Sequence, residues 1–138
     1  LTLRAHVADL EARRFRPAEL TVADGRIATL VELPPTALPP DAPHLIPGFV
    51  DAHVHVESSL LTPAEFARLA VAHGTVGTVS DPHEIANVLG VAGVAFMLAD
   101  AERVPGFAFA FGAPSCVPAT TFETAGATVT VEDIDRLF

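Results

Sequence analysis

The chain has 138 residues, half of them apolar, and carries 8 basic against 17 acidic side chains, a formal charge of −9. That length and apolar content allow one modest folded domain and exclude a disordered chain. An acidic surface repels nucleic-acid phosphates and anionic membranes, so neither is expected as a partner.

The first 33 residues carry strand signals. Leu3 to Val7 is one candidate strand. Glu19 to Val22, then Asp24-Gly25, then Arg26 to Val31 reads as a hairpin, because Asp-Gly supplies the positive φ angles of a tight type I′ turn. Residues 34–43 hold five of the twelve prolines. Proline removes donors and stiffens the backbone, so this stretch is a connector. The expected division is 1–46, strands of a small sheet with the connector, and 47–138, a region of alternating strands and helices.

Phe49 to His55 is the first strand of that second region. It contains the richest chemistry in the sequence, Asp51-Ala52-His53-Val54-His55-Val56-Glu57. Alternate residues of a strand point to one side. Asp51, His53, His55 and Glu57 therefore share a face, with Ala52, Val54 and Val56 on the other. Imidazoles at i and i+2 lie ~6–7 Å apart along a strand, close enough for the rings to converge on one ion. An acid-His-His-acid face is costly to bury without a cation to satisfy it, and neutral imidazole is the commonest protein metal ligand.

Thr62-Pro63-Ala64-Glu65 reads as a capping box with proline at N1. The helix it opens is expected to run to about His73, with Gly74 as the C′ glycine. Thr75 to Ser80 is a second strand, followed by a loop at Asp81-Pro82-His83-Glu84. Ile85 to Val104 is helical, with breaks near Gly90 and Gly93. Phe107 to Phe111 is a third strand, and Gly112 to Ala119 a loop. Strand-helix-strand-helix-strand at this spacing means parallel β/α units. In barrels of such units, active sites form at the C-terminal ends of strands. Those ends carry His53 and His55, then Asp81, His83 and Glu84, then Ser115 and Cys116.

The longest apolar run, roughly Val88 to Ala99, contains glycines and falls short of the ~20 residues a membrane span requires. One cysteine cannot form an internal disulfide, which fits a reducing cytoplasm. No charged-then-apolar leader opens the sequence, so export is not expected. The chain starts at Leu1 and stops soon after a helix start, with Thr130 as N-cap and Glu132 and Asp133 in the first turn. The expectation is a piece of something longer.

Pro47-Gly48-Phe49-Val50-Asp51-Ala52-His53-Val54-His55 resembles the first-strand signature of the amidohydrolase superfamily, metal-dependent hydrolases built on a distorted (β/α)₈ TIM-like barrel beside a small β-sandwich. The Asp24-Gly25-Arg26-Ile27 hairpin resembles part of that sandwich. Three further stretches resemble the superfamily's prokaryotic adenine deaminases: His55-Val56-Glu57-Ser58-Ser59, Asp81 through Gly90, and Ser115-Cys116-Val117-Pro118-Ala119. The resemblance runs from about residue 19 to 138. The His-x-His signature alone is shared by many amidohydrolases, and the three stretches together are more selective.

This resemblance implies an α/β fold, the N-terminal part of such a barrel preceded by sandwich strands. It implies hydrolysis of adenine to hypoxanthine and ammonia, a step of purine salvage. The implied cofactor is a divalent metal pair, manganese or iron, with zinc as an alternative. The partner is a small-molecule purine, and homo-oligomerisation is open. His53 and His55 are the implied ligands of the first metal. The bridging carboxylate, the remaining histidines and the catalytic aspartate are implied on later strands beyond Phe138. A full barrel takes about 250 residues, and about 90 follow Pro47. By itself the chain is then expected to be inactive and to expose an unpaired sheet edge.

Asp51 reads as a residue orienting a histidine or the strand end, with direct ligation as the alternative. Glu57 reads as a ligand, a substrate contact or a cap for the Ser58-Ser59 turn. Asp81 reads as the cap of the following helix with Pro82 at N1, and His83 or Glu84 as a contact to substrate or to the metal shell. Cys116 reads as a small buried residue, and His6, His44 and His73 as surface or packing histidines. Ser58-Ser59 lacks the glycine frame of a nucleophile elbow, and the glycines at 90, 93 and 106 form no phosphate-binding fingerprint. Two other readings stay open: an amidohydrolase acting on a cyclic amide or N-acyl substrate, and a non-catalytic truncated product or interaction module.

Overall fold

The computed structural model describes residues 1–137. Its contacts divide into two compact units, Leu1–Pro47 and Gly48–Phe138.

The first unit is a four-stranded sheet. Its strands are β1 (Thr2–Asp9), β2 (Arg14–Ala23), β3 (Arg26–Glu32) and β4 (His44–Leu45), in the order β3-β2-β1-β4. β1 and β2 pair antiparallel from Thr2↔Thr21 to Asp9↔Arg14, with the small Ala5 and Ala18 facing each other and both buried. The Asp-Gly turn forms as expected, with Asp24 at φ 51° and Gly25 at φ 71°. β2 begins at Arg14 rather than Glu19 and runs through Pro17. Its partner His6 sends its N–H to the Pro43 carbonyl (2.9 Å), so the proline is never asked for a donor on that side. β4 lies inside the proline-rich surroundings and pairs parallel to β1 at His6↔His44 and Val7↔Leu45. Two residues leave no periodic signal, which is why the sequence does not announce this strand.

The second unit is α/β. Its strands β5 (Phe49–Val54), β6 (Thr75–Ser80) and β7 (Ala108–Phe111) form a parallel sheet in that order. Helices α1 (Pro63–Val71), α2 (His83–Leu89), α3 (Val91–Ala101) and α4 (Val131–Leu137) accompany it. The core gathers Ala86, Val94, Val117 and Val129, with Ile134 and Leu137 packed against them. Among the described residues no helix is long and apolar enough to cross a membrane.

Two local details differ from expectation, the cap of α1 and the place of Gly93. The Thr62 hydroxyl makes no capping bond at the start of α1. The Ala64 N–H is taken instead by the carboxylate of Asp100, in α3, at 2.8 Å, while Glu65 pairs with Arg68. The long helix breaks cleanly at Gly90, whose φ 61°, ψ −145° suits only glycine. Gly93, by contrast, lies inside α3. Its role is contact: a Cβ there would lie 2.8 Å from the Ile85 carbonyl oxygen and 3.0 Å from Ile85 Cγ1.

Helix propensity favours alanine over glycine by about 1 kcal/mol. The backbone collision at Gly93 costs more, about 1–3 kcal/mol for an overpacked site. Gly93→Ala is therefore expected to lower the midpoint of urea unfolding despite the better helix former. A raised midpoint would show that α2 and α3 do not pass this closely.

Candidate metal centre

Asp51 and His53 alternate on β5, and the Asp51 carboxylate accepts the His53 N–H at 3.1 Å. The Asp51 carboxylate thus engages the strand backbone. His55 follows the last residue of β5 and keeps an extended backbone, φ −101°, ψ 98°, before the chain turns into a 3₁₀ segment, Val56–Ser59. The alternation thus persists one residue past the strand. The two rings converge, Nε2 to Nε2, at 3.1 Å. Two nitrogens each about 2.1 Å from one ion, at right or tetrahedral angles, stand about 3.0–3.4 Å apart. The spacing fits neighbouring ligands of a single metal.

Asp81 follows β6 and serves both sides of the site. Its N–H continues the ladder to the Val54 carbonyl at 3.2 Å. Its own carbonyl oxygen lies 2.7 Å from His55 Nδ1. A carbonyl can only accept, so His55 Nδ1 carries the hydrogen and Nε2 presents its lone pair. The Asp81 carboxylate lies 3.1 Å from His83 Nδ1 and orients that ring in the same way. The His55 and His83 rings stand edge to face with centroids 4.7 Å apart. Donor atoms of His55, His83 and Glu84 all lie within 4.8 Å of one another. His53 is not in that trio and meets it through His55.

His83 and Glu84 are not in a loop, as the sequence suggests, but in the first turn of α2. Asp81 does not cap that helix. The N-cap position is Pro82, which has no capping side chain. The cap comes from Glu57, whose Oε1 accepts the N–H groups of Glu84 (3.1 Å) and Ile85 (3.3 Å). Nor does Glu57 cap the Ser58-Ser59 turn, where the Ser59 hydroxyl bonds the Val56 carbonyl at 2.6 Å. The Ser58 hydroxyl donates to Glu84 Oε2. The bond from Glu57 spans 27 residues and leaves no spacing for a motif to reveal.

A cavity of about 240 Å³ adjoins these groups, lined by Asp81, His83, Pro114, Ser115, Cys116 and Ala119. It brings together the residues that follow β6 and β7. Cys116 is exposed rather than buried, because it sits on the open loop after β7. The remaining histidines have other surroundings. His6 bonds the Pro39 carbonyl at 3.0 Å, His44 stands edge-on to Phe15, and His73 is exposed.

The donor set suits a divalent ion of intermediate hardness: imidazole nitrogens presented as lone pairs, plus one carboxylate. Comparison with known proteins agrees. The model of the Amidohydrolase family matches residues 44–138. The chain is 59% identical over 136 residues to an adenine deaminase of Salinibacter ruber, covering 99% of this chain and 24% of that protein. It is 52% identical over 140 residues to an adenine deaminase of Sulfurovum sp., covering 99% of this chain and 25% of that protein. With an adenine deaminase of Methanothermobacter thermautotrophicus the identity is 53% over 121 residues, 88% of this chain and 22% of that protein. The chain spans about a quarter of the length of the curated relatives it matches.

Proposed function

The chain belongs to the amidohydrolase family, and on that premise we propose that it forms the N-terminal quarter of a metal-dependent adenine deaminase. The reaction is adenine and water to hypoxanthine and ammonia: oxygen bonds to C6 of the purine, and the exocyclic amine leaves. One observation supports the hydrolytic chemistry above the rest. Nε2 of His53 and of His55 meet at 3.1 Å, and donor atoms of His55, His83 and Glu84 lie within 4.8 Å of one another. The choice of adenine rests on the relatives' activity and their identity to this chain.

In this reading His53, His55, His83 and Glu84 hold divalent metal, manganese or iron, with zinc as the alternative. When bound, the metal supplies a water acidic enough to act as nucleophile near neutral pH. The chain's own residues do the positioning. The Asp81 carbonyl and carboxylate fix the hydrogens of His55 and His83 on Nδ1, away from the ion. Ser58 steadies one oxygen of Glu84. The cavity beside His83 offers the purine a place next to these groups. β5, β6 and β7 are the first strands of a (β/α)₈ barrel, and the sheet of residues 1–46 contributes to a β-sandwich. The exposed, unpaired Cys116 suits a reducing cytoplasm, where the enzyme would serve purine salvage.

The test is an ammonia-release assay of the full-length gene product on adenine, run beside a panel of cyclic amides and N-acyl amino sugars. Release from adenine, lost on metal chelation and restored by manganese or iron, is the expected result. Turnover of an amide with none of adenine would replace the deaminase by another amidohydrolase.

A further inference from the structure

Glu57 stands two residues after His55, just past the end of β5, and holds no place among the clustered donors. Yet its carboxylate is committed inward. Oε1 takes both N–H groups at the start of α2, and Oε2 is buried without a partner among the described residues. A carboxylate oxygen out of water is costly unless the group is held for a reason. The turn that carries it is pinned on its other side by Val56, which is fully buried. One of the two amides it binds belongs to Glu84 itself, and the preceding residue is His83. The next residue, Ser58, bonds the Glu84 side chain. Backbone and side chain of the same residue are therefore gripped from one turn.

We propose that Glu57 is a positioning residue of the metal centre: by capping α2 it sets His83 and Glu84 against His55. It ties the end of β5 to the start of α2, so the donors from the two strand ends arrive at one point in register. This rests on the reading of His55, His83 and Glu84 as ligands. The alternative role, direct ligation by Glu57, differs in one chemical respect. Capping requires a reaching acceptor oxygen, which glutamine also has, whereas ligation of a divalent ion relies on the negative charge.

The experiment measures Mn²⁺ affinity of the metal-stripped full-length protein by chelator competition. It covers wild type, Glu57→Ala, Glu57→Asp, Glu57→Gln and His83→Ala, with hydrogen exchange at the Glu84 and Ile85 amides. Removal of a group that orients ligands costs roughly 10–100-fold in metal affinity. Glu57→Ala is expected to fall in that range and to speed exchange at both amides. Glu57→Asp keeps the charge but is one methylene short, and should weaken binding likewise even if the alanine variant fails to fold. Glu57→Gln should stay near wild type in both readouts. Two results overturn the proposal while leaving the ligand reading intact: Glu57→Ala or Glu57→Asp binding like wild type while His83→Ala is weakened, or Glu57→Gln losing as much as Glu57→Ala. Undiminished affinity in His83→Ala overturns the ligand reading and this proposal with it.

Discussion

His55→Ala in the full-length protein is expected to strip the metal and nearly all hydrolytic activity. His55 is the pivot of the donor cluster. It meets His53 through Nε2 at 3.1 Å, and its donor also belongs to the trio with His83 and Glu84. No other residue of the cluster is shared in this way among the described residues. Its loss should therefore exceed the roughly 10–100-fold weakening typical of groups that only orient ligands. His53→Ala should act in the same direction. Elemental analysis of the purified variants, beside ammonia release from adenine, decides the matter. Full metal occupancy in both variants would refute the assignment.

The same geometry explains why His55 is well prepared for the role. Its Nδ1 hydrogen is directed to a main-chain carbonyl, that of Asp81, at 2.7 Å. No side-chain substitution at position 81 removes that oxygen. His83 depends instead on the Asp81 carboxylate, at 3.1 Å and partly open to solvent. One residue thus orients two rings by two different means, and the ring on the strand side has the sturdier anchor.

How much of this was legible in the sequence depends on the range of each interaction. β6 reads at its observed limits, Thr75–Ser80, because a short β-branched run follows a helix-ending glycine. The pairing of His53 with His55 reads from period-two alternation. Thr130 and Asp133 bond reciprocally at the start of α4, as local capping spacing suggests. The two capping failures are non-local. Thr62-Pro63-Ala64-Glu65 has the spacing of a capping box, but a carboxylate from α3 supplies the cap. Asp81-Pro82 has the look of a helix start, but Glu57 does the capping from 27 residues away. A local pattern states which backbone groups need a partner. Only tertiary structure decides which side chain reaches them first.

Asp100 is the other case of a cap brought from a distance, and its removal carries the largest expected cost in stability. The side chain is only 6% exposed. Burial pushes its carboxyl pKa up, but the Ala64 N–H, the Arg103 guanidinium and the Thr62 hydroxyl together outweigh burial and hold it below the ordinary value of 3.8. Arg103 is itself mostly in solvent, so its ion pair at 2.6 Å contributes little. The substance lies in the buried Ala64 N–H at the start of α1. Asp100→Ala leaves it without an acceptor and should cost about 1–3 kcal/mol in urea unfolding at neutral pH. The depressed pKa fixes the pH dependence. As pH falls past 3.8 the unfolded chain takes up the proton first, so the carboxylate's contribution, complete at neutral pH, is lost as pH falls through the folded value. Asp100→Asn cannot titrate. Its stability deficit relative to wild type should therefore shrink as the solution is acidified below 3.8, with the other carboxylates cancelling in the difference. A deficit that stays constant from neutral pH downward would mean that Asp100 caps α1 by shape alone, with no help from its charge.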